Sequence, residues 1–366
     1  MARSYVIAAR RSPVVPRNGA FAALQIEDLA RPVISTILRD AGIATNAVGE
    51  LIASNALGAG GNPARIIALH AGLPQNVAGM TIDRQCAGGL DALVVADALI
   101  RAGVHDVVIA GGVESYSRRP IRLRTFADGS DPVRYDQARF TPWADRDPDM
   151  ARAADQLAQK MAVTREDQDR WAMGSHAQAK SYNHPEIVPM CDVESDSFTR
   201  DLTTRHCSKA PVVSGSVAAA NMAIAADGAA FVVMVSEQFL RRIGMSGVLF
   251  SAGVTLGGVP DMPGLAPVEA VNACLKSAQI TVNDLTHIEL MEAFAVQAIA
   301  CQQGADLPRE LVNRFGGALA WGHPIGASGA ILAARLFHQL SAKGGVGIAA
   351  IASAGGIGSA VLLRRD

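Results

Sequence analysis

The sequence predicts an α/β fold built as two similar layered halves, with a loop-rich segment inserted into the first. Three observations carry that prediction. Strand-like and helix-like patterns alternate at both ends of the chain. Stretches late in the chain resemble early ones at a nearly constant spacing. Between residues 117 and 215 the regular alternation stops. The length of 366 residues exceeds one simple core, and 49% hydrophobic residues make core burial easy. Aromatic residues are few, at 5%, while glycine and alanine are frequent, which suits close packing of helices on sheets.

In order, SYVIAA reads as a buried strand. LARPVISTILRDAG reads as a helix with Pro32 in its first turn. ELIASNA and AGMTID read as strands. GLDALVVADALIRAG is an Ala/Leu helix stopped by Gly103, and DVVIAGG is the strand after it. The segment 117–149 is rich in Pro, Asp and Arg and reads as a long loop. MARAADQLAQKMAV and TREDQDRWAMGSHAQAKSY read as helices, the second with Thr164 as N-cap and Asp167 completing a capping box. At DGAAFVVMVS the buried-strand pattern returns. AGIATNAV at 41–48 resembles AQITVNDL at 278–285, an offset of 278 − 41 = 237. The run 87–112, from a small-residue turn through a helix and a strand to Gly-Gly, is matched by 327–356. These patterns place the first half at 1–116 with 216–245, the insertion at 117–215 and the second half at 246–366.

The formal net charge of −1 argues against nucleic acid or a membrane surface as a partner. The N-terminal residues show no secretory leader, and no apolar run reads as a membrane span. Five scattered cysteines, without a paired pattern, point to a reducing cytoplasm rather than a disulfide framework. No metal-ligand motif stands out.

Four segments carry chemistry. In DRQCAGGLDAL, Cys86 precedes a helix whose free N–H groups and dipole favour a thiolate; the other reading is a small buried thiol. In NRFGGALAWGHPIGASGA, His323 lies in a tight Gly- and Pro-bounded turn. A lone histidine is more often structural, but an imidazole beside a thiol can take its proton. ELMEAFAVQAIA is the third segment. ASAGGIGSA is the fourth, either a tight turn between strands or a source of backbone N–H groups for an oxyanion. The basic run Arg118, Arg119, Arg122 and Arg124 is either a solvated loop face or a contact for phosphates or a partner. Cys191, Cys207, Cys274 and Cys301 read as bystanders.

In this order the four segments resemble the thiolase family, and the resemblance runs almost the full length. It includes AARRSPV, GNPARIIALHAGLP, GGVES, MARAADQLAQKMAVTREDQDRWA, EIVPM and VNRFGGALAWGHPIGASGA. It implies a duplicated thiolase fold, a five-layered α-β-α-β-α sandwich with an inserted loop domain. It implies an acyltransferase of acetyl-CoA acetyltransferase type acting on acyl-CoA through an acyl-Cys86 intermediate. His323 would activate the cysteine, and the backbone N–H groups of Cys86 and Ala354 would hold the oxyanion. Met150, Met291, Phe294 and Ala223 would contact substrate. Coenzyme A enters as a substrate thioester, with no permanently bound cofactor and no metal. A homodimer or homotetramer is implied, and a small partner protein is a further possibility.

Three departures from the family pattern matter. Met291 stands where relatives have an asparagine that fixes a water for the enolate; a thioether holds water poorly. Ala352 stands where relatives carry a second cysteine that moves the α-proton, and Ser353 beside it should face the other way along a strand. Ala223 stands in place of a serine near the pantetheine arm. Acyl transfer to Cys86 is therefore expected to survive better than Claisen chemistry. The alternatives are a degenerate thiolase that hydrolyses the acyl group or transfers it elsewhere, and a non-catalytic acyl-CoA-binding subunit.

Overall fold

The computed structural model describes residues 2–58 and 60–366. The first half runs β1 (Ser4–Arg11), β2 (Val15–Pro16), α1 (Ile26–Asp40), β3 (Glu50–Ser54), α2 (Pro63–His70), β4 (Met80–Ile82), α3 (Gly88–Arg101) and β5 (Val107–Glu114). The insertion holds β6 (Arg122–Arg124), β7 (Val133–Tyr135), α4 (Met150–Met161), α5 (Arg165–Lys180), α6 (Thr204–Lys209), β8 (Val212–Ser214) and β9 (Val217–Ala218). The chain returns to the first half with β10 (Ala226–Ser236) and α7 (Glu237–Ile243). The second half is β11 (Val248–Gly257), α8 (Ala266–Ala278), β12 (His287–Leu290), α9 (Ala295–Gly304), α10 (Ala318–Trp321), α11 (Ile325–Lys343), β13 (Gly345–Ser353) and β14 (Ile357–Arg365).

Each half makes a mixed half-sheet. The order β3-β5-β10-β1 of the first recurs as β12-β13-β14-β11 in the second, and β4 adds a further edge strand to the first beside β3. The parallel pairs are β3 with β4 and β5, and β12 with β13; the remaining pairs are antiparallel. The two half-sheets are not separate ladders, because β1 and β11 pair at Tyr5–Leu249 and Val6–Val248.

Three apolar clusters define five layers. Leu29, Val33, Ile34 and Ile37 of α1 pack with Ile67 of α2 on the outer face of the first half-sheet. Val271, Leu275, Val296 and Ile299 of α8 and α9 cover the outer face of the second. Between the half-sheets lie α3 and α11, in contact with each other and with strands of both. That central layer is tight because its helices meet backbone to backbone. A methyl at Gly89 would sit 2.4 Å from the Ala330 nitrogen, and one at Gly329 would sit 2.5 Å from the Leu90 nitrogen. Glycine is the residue that permits such an approach.

The structure moves some expected boundaries. Helix α1 begins at Ile26, where Asp28 accepts the Gln25 backbone N–H at 3.0 Å, so Pro32 lies inside the helix rather than in its first turn. The Thr164–Asp167 capping box of α5 is present. The 117–149 segment, expected as loop throughout, contains the β6–β7 hairpin. Across the expected boundary at 215, β8 pairs with β9 at Val212–Ala218 and Ser214–Val217. Within it, Trp171 Nε1 and Ser175 Oγ donate to the buried Glu292 carboxylate at 2.9 and 2.7 Å, tying α5 to the second half.

Candidate active site

Cys86 sits in a single 3-10 turn, Gln85–Ala87, that runs directly into α3. The turn forces Gln85 to φ +51°, a left-handed conformation that a non-glycine residue adopts at a cost. Asp83 Oδ1 braces it by accepting the Gln85 N–H at 3.0 Å.

His323 is presented by the equivalent turn before α11. Gly322, at φ +110°, lets the chain double back, and His323 donates its backbone N–H to Ile224 O at 2.8 Å. Pro324, at φ −78°, then caps the helix. The imidazole Nε2 lies 3.1 Å from Cys86 Sγ, and Nδ1 lies 2.6 Å from Ser328 Oγ. Ser328 has one hydroxyl proton, which it donates to Pro324 O at 3.1 Å. With its proton on Pro324 O, it accepts from Nδ1–H, the tautomer whose bare Nε2 faces the thiol. The hydroxyl thus selects the tautomer that can take the Cys86 proton.

Burial opposes the charge that the helix terminus favours. Burial pushes the Cys86 thiol up to about 12, outweighing its own N–H and the Ser353 side chain, and the Glu114 charge pushes the same way. Burial also holds the His323 imidazole down, to about 4. Both shifts favour the neutral thiol and neutral imidazole over a charge-separated pair, and so oppose the thiolate that the helix terminus favours. Desolvation disfavours charge on either group more strongly than one helix end can favour it.

The pair stands in a cavity of about 470 Å³. Met150, Ala153, Ala154 and Leu157 of α4 form one wall, with Pro263, Gly264 and Phe294 beside them. Arg119, Arg122 and Tyr135 stand at another, and Ala223, Ala352, Ser353 and Ala354 are also on the lining. Arg119 is paired with Asp136 at 3.2 Å, and Arg122 donates to Ala56 O at 3.0 Å. Arg118, Arg124 and the other four cysteines do not line this space.

Of the residues expected to meet substrate, Met150, Phe294 and Ala223 border the cavity, and so does Ala354. Met291 does not. It is 0% exposed, sits in the central apolar cluster and donates its N–H to Ala350 O at 2.9 Å. Expected among the substrate contacts, Met291 lies in the core of this structure and not on the cavity lining. Ser353 also departs from expectation. Both Ala352 and Ser353 border the cavity, because Ser353 ends β13 where the chain begins to turn and strand alternation lapses. Its hydroxyl donates to Arg84 O at 3.1 Å. Ser328 and Glu114 went unrecognised, although both lie inside quoted motifs. Among the described residues, no three His, Cys, Asp or Glu side chains gather as metal ligands, and no helix is long and apolar enough to cross a membrane.

Comparison with known proteins identifies the family and the fold. Residues 4–238 match the family description "Thiolase, N-terminal domain", and residues 245–365 match "Thiolase, C-terminal domain". The chain is similar to the Bacillus subtilis (strain 168) protein described as "Putative acetyl-CoA C-acetyltransferase YhfS", with 38% identity over 98% of each chain. It is 35% identical, over the whole of both chains, to "Putative acetyl-CoA C-acetyltransferase VraB" of Staphylococcus aureus (strain MRSA252). Among solved structures, the Bacillus anthracis acetyl-CoA acetyltransferase superposes with a TM-score of 0.91 at 31% identity, covering 100% of this chain and 99% of that one. Human mitochondrial 3-ketoacyl-CoA thiolase in complex with CoA gives 0.92 at 29% identity, with the same coverage.

Proposed function

This chain belongs to the thiolase family and is an acyltransferase of thiolase type, and from that premise we propose that its acyl groups pass through Cys86. The observation that carries the reading is the 3.1 Å approach of Cys86 Sγ to a bare Nε2 of His323. As a coenzyme A thioester docks, the Cys86 proton moves to Nε2 and the sulfur attacks the acyl carbonyl. The tetrahedral oxyanion takes hydrogen bonds from the N–H groups of Cys86 and Ala354. Collapse expels the coenzyme A thiolate, which leaves with the proton held by His323. The products are free coenzyme A and acyl-Cys86, with His323 neutral again.

In the second half-reaction, His323 is the base at hand for the α-proton of an incoming acyl-CoA, because Ala352 offers only a methyl. The carbanion attacks acyl-Cys86, the sulfur leaves, and His323 returns the proton to it. That methyl also favours a second reading, in which water or another acceptor takes the acyl group. The proposal includes Met150, Phe294 and Ala223 as substrate contacts, a homodimer or homotetramer, a cytoplasmic site of action and no resident cofactor. A small partner protein belongs to the non-catalytic alternative.

Incubation of the protein with acetyl-CoA, followed by intact-mass measurement, should give an acetyl adduct that disappears in Cys86→Ala. Absence of the adduct in the unmodified chain would overturn the reading. Coenzyme A release without any 3-ketoacyl-CoA would favour the second one.

A further inference from the structure

Glu114 ends β5, is 1% exposed, and has no part in the mechanism above. Four hydrogen-bond donors converge on its carboxylate. Oε1 accepts from Asn55 Nδ2 at 2.8 Å and from the Leu57 backbone at 3.2 Å. Oε2 accepts from the Ala56 backbone at 3.1 Å and from the Gly326 backbone at 3.0 Å. Three of the donors lie in the loop after β3, in the first half. The fourth is in the first turn of α11, in the second half, three residues beyond His323. The junction is close-packed: a methyl at Gly326 would meet Ser54 O at 2.9 Å and Glu114 Oε2 at 3.1 Å.

We infer that Glu114 is a positioning residue, whose carboxylate fastens the start of α11 to the first half and thereby holds His323 against Cys86. The inference rests on the acyl-Cys86 reading. Geometry favours a carboxylate here, since every partner donates and a carboxylate only accepts. The positive end of the α11 dipole adds attraction for the negative charge. A glutamine of the same shape would turn an NH2 group toward two donors and open the joint.

The same charge also acts on the sulfur. It helps push the Cys86 thiol up, together with Asp83. Glu114 itself is pushed up to about 7 by burial and, less strongly, by Asp83, against the pull of the backbone N–H groups. Removing the charge should therefore have two effects of opposite sign. The thiol becomes easier to ionise, while His323 is held less well for proton transfer.

That opposition supplies the test. Glu114→Gln and the unmodified protein are compared in two reactions at one pH well above 7, where Glu114 carries its charge, and the label added to folded protein is read by mass on the Cys86 peptide, since Cys191 is also an exposed thiol. Iodoacetamide, which needs only the thiolate, should alkylate Cys86 faster in the variant. Acetylation by acetyl-CoA, which needs the aligned imidazole, should slow by about tenfold or more. Acetylation at the unmodified rate, or both reactions slowed by one common factor, would overturn the inference. If Glu114→Gln does not fold, Asn55→Ala removes one donor and keeps the charge. It should slow acetylation severalfold with alkylation unchanged, and an unchanged acetylation rate would overturn the inference. An unmodified chain that forms no acetyl adduct defeats the Cys86 reading itself; an adduct formed equally well by the variant defeats only the role of Glu114.

Discussion

The turn entering α3 and the turn entering α11 occupy equivalent points of the two halves. The offset that relates Glu50 at the start of β3 to His287 at the start of β12 is 287 − 50 = 237. It relates Gly88 to Ile325, where the helices begin, as 325 − 88 = 237. Cys86 and His323 are also 237 residues apart. Two equivalent turns thus present a thiol and an imidazole, and the packing of α3 on α11 brings them within 3.1 Å. The supports differ as the tasks do. The thiol turn is held by a strained Gln85 and by Asp83. The imidazole turn is fixed by Gly322, Pro324 and Ser328, which set the tautomer. The comparison teaches that a duplicated frame can supply proximity while the local turns supply chemistry.

Exchanging the two reactive groups for methyls breaks the comparison most severely. Cys86→Ala should abolish acyl-enzyme formation altogether. His323→Ala should leave a thiol that still alkylates, with acetylation slowed by about 10²–10⁴-fold, the usual worth of a positioned base. Single-turnover acetylation followed by mass measurement reads both; equal and complete loss in the two variants would deny the division of labour.

A smaller effect tests the packing that creates the proximity. Gly89 and Gly326 are equivalent, since 326 − 89 = 237. Gly89→Ala drives a methyl to within 2.4 Å of the Ala330 backbone and should cost about 1–3 kcal/mol of stability. Gly326→Ala meets its nearest atom at 2.9 Å and should cost less. Denaturant midpoints rank the two, and the reverse order would show that the halves are not clamped where the glycines suggest.

The smallest effect is on pH dependence. Burial holds His323 in the second half, and His176 in the insertion, down to about 4. Both stay neutral in the folded protein while an unfolded chain takes up protons from about pH 6.5 downward. Their contribution to stability is intact above that pH and is lost progressively as pH falls toward 4. The denaturant midpoint should decline between pH 7 and pH 5, less steeply than the imidazoles alone would give, because Glu114, pushed up to about 7, takes up a proton in the folded protein over the same range; a midpoint that rises would show that these imidazoles are not shielded from water.

Much of this arrangement is legible in the residues. The Ala/Leu helix before Gly103, the buried β10 and the Thr164 cap follow from short-range pattern and were found where the sequence put them. The meeting of Cys86 and His323 was written in the same offset that relates 41–48 to 278–285, though no local window contains it. What stayed hidden depends on three-dimensional burial. Met291 reads as a motif residue facing the site, yet its side chain is fully enclosed. The thiol's helix terminus is visible in sequence, but the desolvation that outweighs it is not. Ser353 breaks the alternation rule because a strand's final residue already belongs to the turn. Glu114 is hidden by its ordinary appearance in GGVES, since its four donors come from two other segments.

The bond between Glu292 and α5 has a practical consequence. The insertion departs from the first half of the chain, but its α5 is moored to the second through Trp171 and Ser175, and the neighbouring α4 lines the cavity that holds Cys86 and His323. Anyone retooling the pocket by grafting an insertion from a relative must transplant both ends of that mooring, or the new wall will arrive without an anchor.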